Sequence, residues 1–93
     1  MNKQITGVWI FNGANAKLPG GIFSEREKAE SWIMKHRLTG ILTLYPLDQG
    51  IYDWAINNNF FAVKKENQSQ PEFIQGFTSA SQEHYPYEDG ELA

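Results

Sequence analysis

The densest run of chemically capable side chains is Gln82-Glu83-His84-Tyr85-Pro86-Tyr87-Glu88-Asp89, which combines one imidazole, two phenols and three carboxylates. Imidazole titrates near neutrality and carboxylates neutralise cations, so the run suits either proton transfer or capture of a positively charged partner. Extended geometry divides it. Successive side chains of a strand alternate, which sends Glu83, Tyr85 and Tyr87 to one face and His84 and Glu88 to the other. The binding candidates are therefore Glu83, His84, Tyr85, Tyr87, Glu88 and Asp89, with no catalytic residue among them. A non-enzymatic role is expected ahead of an enzymatic one. The partner they imply is a protein with a basic surface, because Tyr favours interfaces and acidic groups speed encounter with cations.

The alternative is a small-ligand-binding protein or an enzyme with a pocket near His84, using Glu83 and the hydroxyl of Ser79 or Ser81. No G-x-S-x-G elbow surrounds those serines, and proximity in sequence does not supply geometry. Other candidates have structural explanations. His36 reads as a cation at a helix C-terminus. Gly20-Gly21 reads as a turn, since neither G-x-x-x-x-G-K-[ST] nor G-x-G-x-x-G occurs. Asp48 and Asp53, with Tyr52 and Trp54, read as a helix cap and core packing. Two histidines and no cysteine, with no H-E-x-x-H pattern, argue against a metal site, and no cofactor is implied. Lys17, Arg26, Lys28, Lys35, Arg37, Lys64 and Lys65 are dispersed among acids, so no nucleic-acid footprint forms.

Charge is unevenly placed. The chain to Lys65 has eight basic and five acidic residues, about +3, whereas residues 66–93 have six acidic and no basic ones, about −6. Such a segment serves solubility or interaction. The 93 residues fit a single domain over 1–93, and the 41% hydrophobic and 14% aromatic shares supply a core. The start, Met1-Asn2-Lys3-Gln4, leads into a short apolar run rather than a signal-peptide core, and no run approaches the roughly 20 apolar residues that span a bilayer. With no cysteine, a reducing cytoplasm is expected, and the chain is read as a monomer or weak homodimer without membrane contact.

The elements that must position these groups begin with a strand over Ile5–Phe11, rich in β-formers and closed by Asn12-Gly13. A loop rich in Asn, Gly and Pro leads to a short strand at Ile22-Phe23. Ser24-Glu25-Arg26-Glu27 has the pattern of a capping box and predicts a helix to Arg37, with Ala29, Trp32, Ile33 and His36 as one stripe. Ile41–Tyr45 follows as a strand, which permits a parallel strand–helix–strand crossover. Asp48 suits the cap of a short helix to about Asn57, with another strand over the same residues as the alternative, Phe60–Val63 forms a short strand, and Lys64–Gln70 a polar loop. Pro71 opens a third helix bearing Phe73, Ile74 and Phe77 and ending near Ser79. Ser81–Tyr87 extends as a strand, and 88–93 is expected to be a flexible acidic tail. The expected fold is α+β: a small mixed sheet of about four strands with two or three helices mainly on one face. Trp9, Phe23, Trp32, Ile33, Ile41, Leu44, Trp54, Phe61 and Phe77 are expected to form its core.

The blocks Gly7-Val8-Trp9-Ile10-Phe11-Asn12-Gly13, Gly21-Ile22-Phe23-Ser24-Glu25-Arg26-Glu27-Lys28-Ala29-Glu30-Ser31-Trp32-Ile33, Tyr52-Asp53-Trp54-Ala55-Ile56 and Phe77-Thr78-Ser79-Ala80-Ser81-Gln82-Glu83-His84-Tyr85 carry a resemblance. With them the chain resembles a family of small stand-alone bacterial proteins of unknown function, nearly end to end. The resemblance implies a compact α+β domain and brings no activity, cofactor or catalytic residue. Toxin-neutralising immunity proteins are similar in size and charge only.

Overall fold

Alternation in Gly7–Gly13 sends Trp9 and Phe11 to one side of a strand and Val8 and Ile10 to the other, and this strand, β1, becomes the scaffold of the sheet. The computed structural model describes residues 6–93, so Ile5, the expected first residue of that strand, lies outside the described residues. The chain forms two compact units. The first comprises residues to Leu47 together with Gln82–Ala93, and the second is Asp48–Ser81.

In the first unit, β1 is flanked by β2 (Gly21–Phe23) and β3 (Gly40–Pro46), and the sheet continues through β4 (His84–Glu88) to β5 (Glu91–Leu92) in the order β2-β1-β3-β4-β5. Every ladder is antiparallel. Among the described residues the sheet therefore has five strands and is not mixed. β2 and β3 do run in the same direction, but β1 lies between them, so the connecting helix steps over a strand instead of joining a hydrogen-bonded parallel pair.

That helix, α1 (Arg26–His36), packs on the sheet face that carries Trp9, Phe11, Leu42 and Tyr87. Ala29 and Ile33 are fully buried there, and Trp32 lies edge-on to Phe11, with ring centroids 5.8 Å apart. The capping box expected at Ser24 does not form. Glu25 is the N-cap and no side chain caps the helix, which puts Glu27 at the second helical position, one short of the reach a capping box needs. Glu25 pairs forward with Lys28 at 3.1 Å. At the other end Arg37 adopts the left-handed conformation, its N–H bonding Met34 O at 3.2 Å while Leu38 N–H bonds Ile33 O at 2.9 Å. These two bonds are the Schellman pattern, closed by a hydrophobic contact of Leu38 with the core.

Pairing β3 closely with β1 requires Gly40. A Cβ there would stand 2.4 Å from Asn12 O and 2.8 Å from Gly13 Cα. The register then puts Leu42 opposite both Phe11 and Tyr85, and Leu42 is buried while Ile41 is 47% exposed. Ile41 is thus not a core residue, and Phe11, Ala29, Leu42 and Tyr87 are core residues the sequence reading omitted.

The second unit is built from α2 (Ile51–Asn57), a 3-10 turn at Glu66–Ser69 and α3 (Pro71–Gln75). The N-cap of α2 is Gly50. Asp48, expected as its cap, has φ 57° and belongs to the turn before it. Phe60–Val63 is not a strand, because Phe60 and Phe61 donate their N–H groups to Ala55 O at 2.8 and 3.3 Å and wrap the chain back on the helix end. The expected loop tightens into the 3-10 turn, where Gln68 Oε1 accepts from the amides of Lys64 and Lys65 at 2.8 and 3.1 Å. Helix α3 stops at Gly76, short of Ser79. Tyr52, Phe61, Phe73 and Phe77 form the unit's aromatic cluster, with Phe61 and Phe77 centroids 4.9 Å apart, and Tyr52 Oη donates to Gln68 O at 2.8 Å. Among the described residues no helix is long and apolar enough to cross a membrane.

Candidate functional site

Strand β4 separates the candidate residues as alternation requires. Tyr85 and Tyr87 face α1, and His84, Pro86 and Glu88 are exposed. The two inward phenols enter a polar seam with the first turns of α1. Tyr87 Oη donates to Glu30 Oε2 at 2.5 Å, and the same oxygen accepts from Arg26 Nε at 3.3 Å. The Arg26 guanidinium lies 3.5 Å from the centre of the Tyr85 ring, a cation–π contact, while Tyr85 Oη donates to the Glu83 carboxylate.

Burial and the bond to Glu30 push the Tyr87 phenol up to about 12. The hydrogen bond to Glu83, followed by partial burial, raises Tyr85 above its ordinary value. Both hydroxyls thus remain protonated donors at neutral pH, engaged within the fold. Tyr87 is only 4% exposed, which places it in the core and outside any contact surface.

His84 lies exposed on the opposite face of the sheet, paired across the ladder with Thr43. Its Nδ1 stands 2.6 Å from Gln82 O. A carbonyl only accepts, so Nδ1 carries the hydrogen and donates it. Gln82 itself is buried, with Nε2 donating to Leu44 O at 3.2 Å, and anchors the entry to β4. Ser81 N–H bonds Ser79 Oγ at 3.2 Å. Among the described residues no three His, Asp or Glu side chains group as a metal ion would need.

Glu88 and Asp89 lead into a different feature. Asp89 and Gly90 have φ 50° and 87°, positive at both positions, and Glu88 pairs with Glu91 across them. Such a two-residue loop matches the twist of a hairpin, and Asp-Gly is among its preferred sequences. The segment 88–93, expected as a flexible tail, is therefore a folded hairpin. Its tip is held by Gly90 N–H to Leu38 O at 2.9 Å and by Asp89 N–H to Thr39 Oγ1 at 3.1 Å, and a Cβ on Gly90 would come within 3.0 Å of Arg37 Cα. Between this hairpin and the end of α1 runs an open groove of about 650 Å³, lined by Met34, Arg37, Glu88, Asp89, Glu91, Leu92 and Ala93.

Of the six sequence candidates, Glu88 and Asp89 meet in the groove, Glu83, Tyr85 and Tyr87 belong to the seam, and His84 stands apart. Met34, Arg37, Glu91 and Leu92 were not foreseen. The Asp-Gly pair was the signal that would have folded the tail back and exposed them. A family model described as "Domain of unknown function (DUF7710)" matches residues 8–93. The chain belongs to this family. One family model thus spans both compact units, hairpin included. No curated protein and no solved structure matches the chain.

Proposed function

We propose that the protein is a non-enzymatic binding module whose C-terminal hairpin engages a partner protein with a basic surface. The observation that carries this reading is the groove, whose lining brings the acidic residues Glu88, Asp89 and Glu91 of the hairpin together with two exposed apolar residues, Met34 at 63% and Leu92 at 56%. Acidic residues beside exposed apolar area suit an interface: the acids steer a basic partner, and Met and Leu supply area that leaves water. Arg37 at the groove wall adds an oriented donor for a partner carboxylate or carbonyl. The tyrosines serve indirectly, by holding β4 against α1. A bacterial, cytoplasmic setting belongs to the same proposal, supported by the sequence resemblance and the cysteine-free composition.

The test compares the native chain with a variant carrying Glu88→Gln, Asp89→Asn and Glu91→Gln, which removes three charges without altering the turn. Lysine-rich peptides should shift the amide resonances of Glu88, Gly90 and Leu92 in the native chain, and the shifts should weaken with added salt. In a variant still folded by circular dichroism they should be lost. Equal binding by both proteins, or shifts confined to other strands, would refute the reading.

A further inference from the structure

The sheet has two edges, and they differ in how they are guarded. The β5 edge carries Glu91 beside Glu88 and Asp89, so two copies brought together there would oppose carboxylates. Among the described residues β2 is bonded to β1 alone, and neither the strand nor the Leu18-Pro19-Gly20 loop that leads into it holds a charge. Leu18 is 77% exposed and Ile22 66%. Natural sheets usually blunt such an edge with charged residues, because its unpaired backbone groups are a template for another strand.

We infer that the β2 edge pairs with β2 of a second copy of this chain, antiparallel about a twofold axis at Ile22, forming a weak homodimer. Two features favour a second copy over a foreign strand. Ile22 lies opposite Ile10 across β1, on the face away from α1. A twofold axis at Ile22 places the two Ile22 side chains side by side and extends the row to Ile10, Ile22, Ile22, Ile10, a continuous β-branched ladder across four strands. The flanking charges are also self-complementary. Lys17 precedes the strand and Glu27 follows it, both exposed, and among the described residues neither forms an ion pair, whereas Glu25 is taken by Lys28 and Arg26 by Glu30. Antiparallel pairing carries Lys17 of each copy toward Glu27 of the other, whereas parallel pairing would set Lys17 against Lys17. An isologous contact of this kind closes at two subunits.

Three residues a side make a small interface, so a dissociation constant on the order of 100 µM is expected. Sedimentation velocity on the full chain from about 10 µM to about 1 mM should show the mean mass rising toward the dimer. Ile22→Lys and Ile22→Glu each oppose like charges across the axis and should weaken association at least about tenfold, while their equimolar mixture should recover it, because only a self-paired edge brings position 22 against itself. Both substitutions fall on an exposed strand residue, and circular dichroism checks that each variant is folded. A native chain that stays monomeric to about 1 mM would overturn self-pairing and leave the edge to an extended segment of another protein. Association unchanged in both variants, or a mixture no better than either alone, would equally overturn it.

Discussion

The two compact units reach burial by different means. In the first, a five-stranded sheet receives one helix, and Ile33 and Leu42 are completely enclosed. In the second, no strand forms, the helices have seven and five residues, and Ala55 alone is buried. Tyr52, Phe61, Phe73 and Phe77 cover one another's rings yet each stays half-buried. A sheet holds neighbouring strands at fixed spacing, so one helix laid across it closes off side chains from several strands at once. Short helices and turns lack that repeated spacing, and aromatic rings, with large area on few residues, are the means left to exclude water.

The contrast is sharpest in truncation. Ile33→Ala empties a fully enclosed site in the first unit and should destabilise the protein by about 3–4 kcal/mol, whereas Phe73→Ala, removing a larger but half-exposed side chain, should cost about 2 kcal/mol. Urea denaturation followed by tryptophan fluorescence measures both. A larger loss for Phe73→Ala would mean that the aromatic cluster, not the sheet, dominates stability.

A smaller effect tests how closely the hairpin tip must approach α1. Gly90→Ala adds a Cβ at positive φ and within 3.0–3.3 Å of Arg37 Cα, Met34 Cα and Ile33 O. It should lower stability by about 2 kcal/mol and weaken amide-exchange protection at Glu91 and Leu92 first. Unchanged protection would show that the hairpin is not docked.

The smallest effect concerns the polar seam. Tyr87 is held near 12 in the folded chain against about 10 when unfolded, so its contribution is fully present below pH 10. As pH rises from about 10 to about 12 the unfolded chain releases its proton first, and stability falls. Tyr87→Phe should therefore be about 1 kcal/mol less stable at neutral pH, with the difference from the native chain shrinking across that window. A pH-independent difference would remove the phenol from the account.

Several of these features were readable from residues alone. Gly7–Gly13 alternates and is rich in β-formers, the Ala29, Trp32 and Ile33 stripe marks a helix, and Pro71 marks a helix start. The opposition of Tyr85 and Tyr87 to His84 follows from strand geometry. The Ile41 error was avoidable in part, since Ile41 and Leu44 have opposite parity in a strand and cannot both face one core. Ile41 and Leu42 are neighbours of equal apolar character, however, and the burial of Leu42 came with its pairing to Phe11 and Tyr85, which are distant in sequence.

The sequence by itself therefore determined the local elements, the α+β class and the segregation of acidic residues into the last third, because helix period, strand alternation and charge are properties of neighbouring residues. Tertiary structure decided that β1 would part β2 from β3, that Tyr87 would be buried on Glu30, and that the hairpin turned by Asp89-Gly90 would dock at the end of α1. Each of those depends on contacts between segments far apart along the chain, whose energies no local window contains.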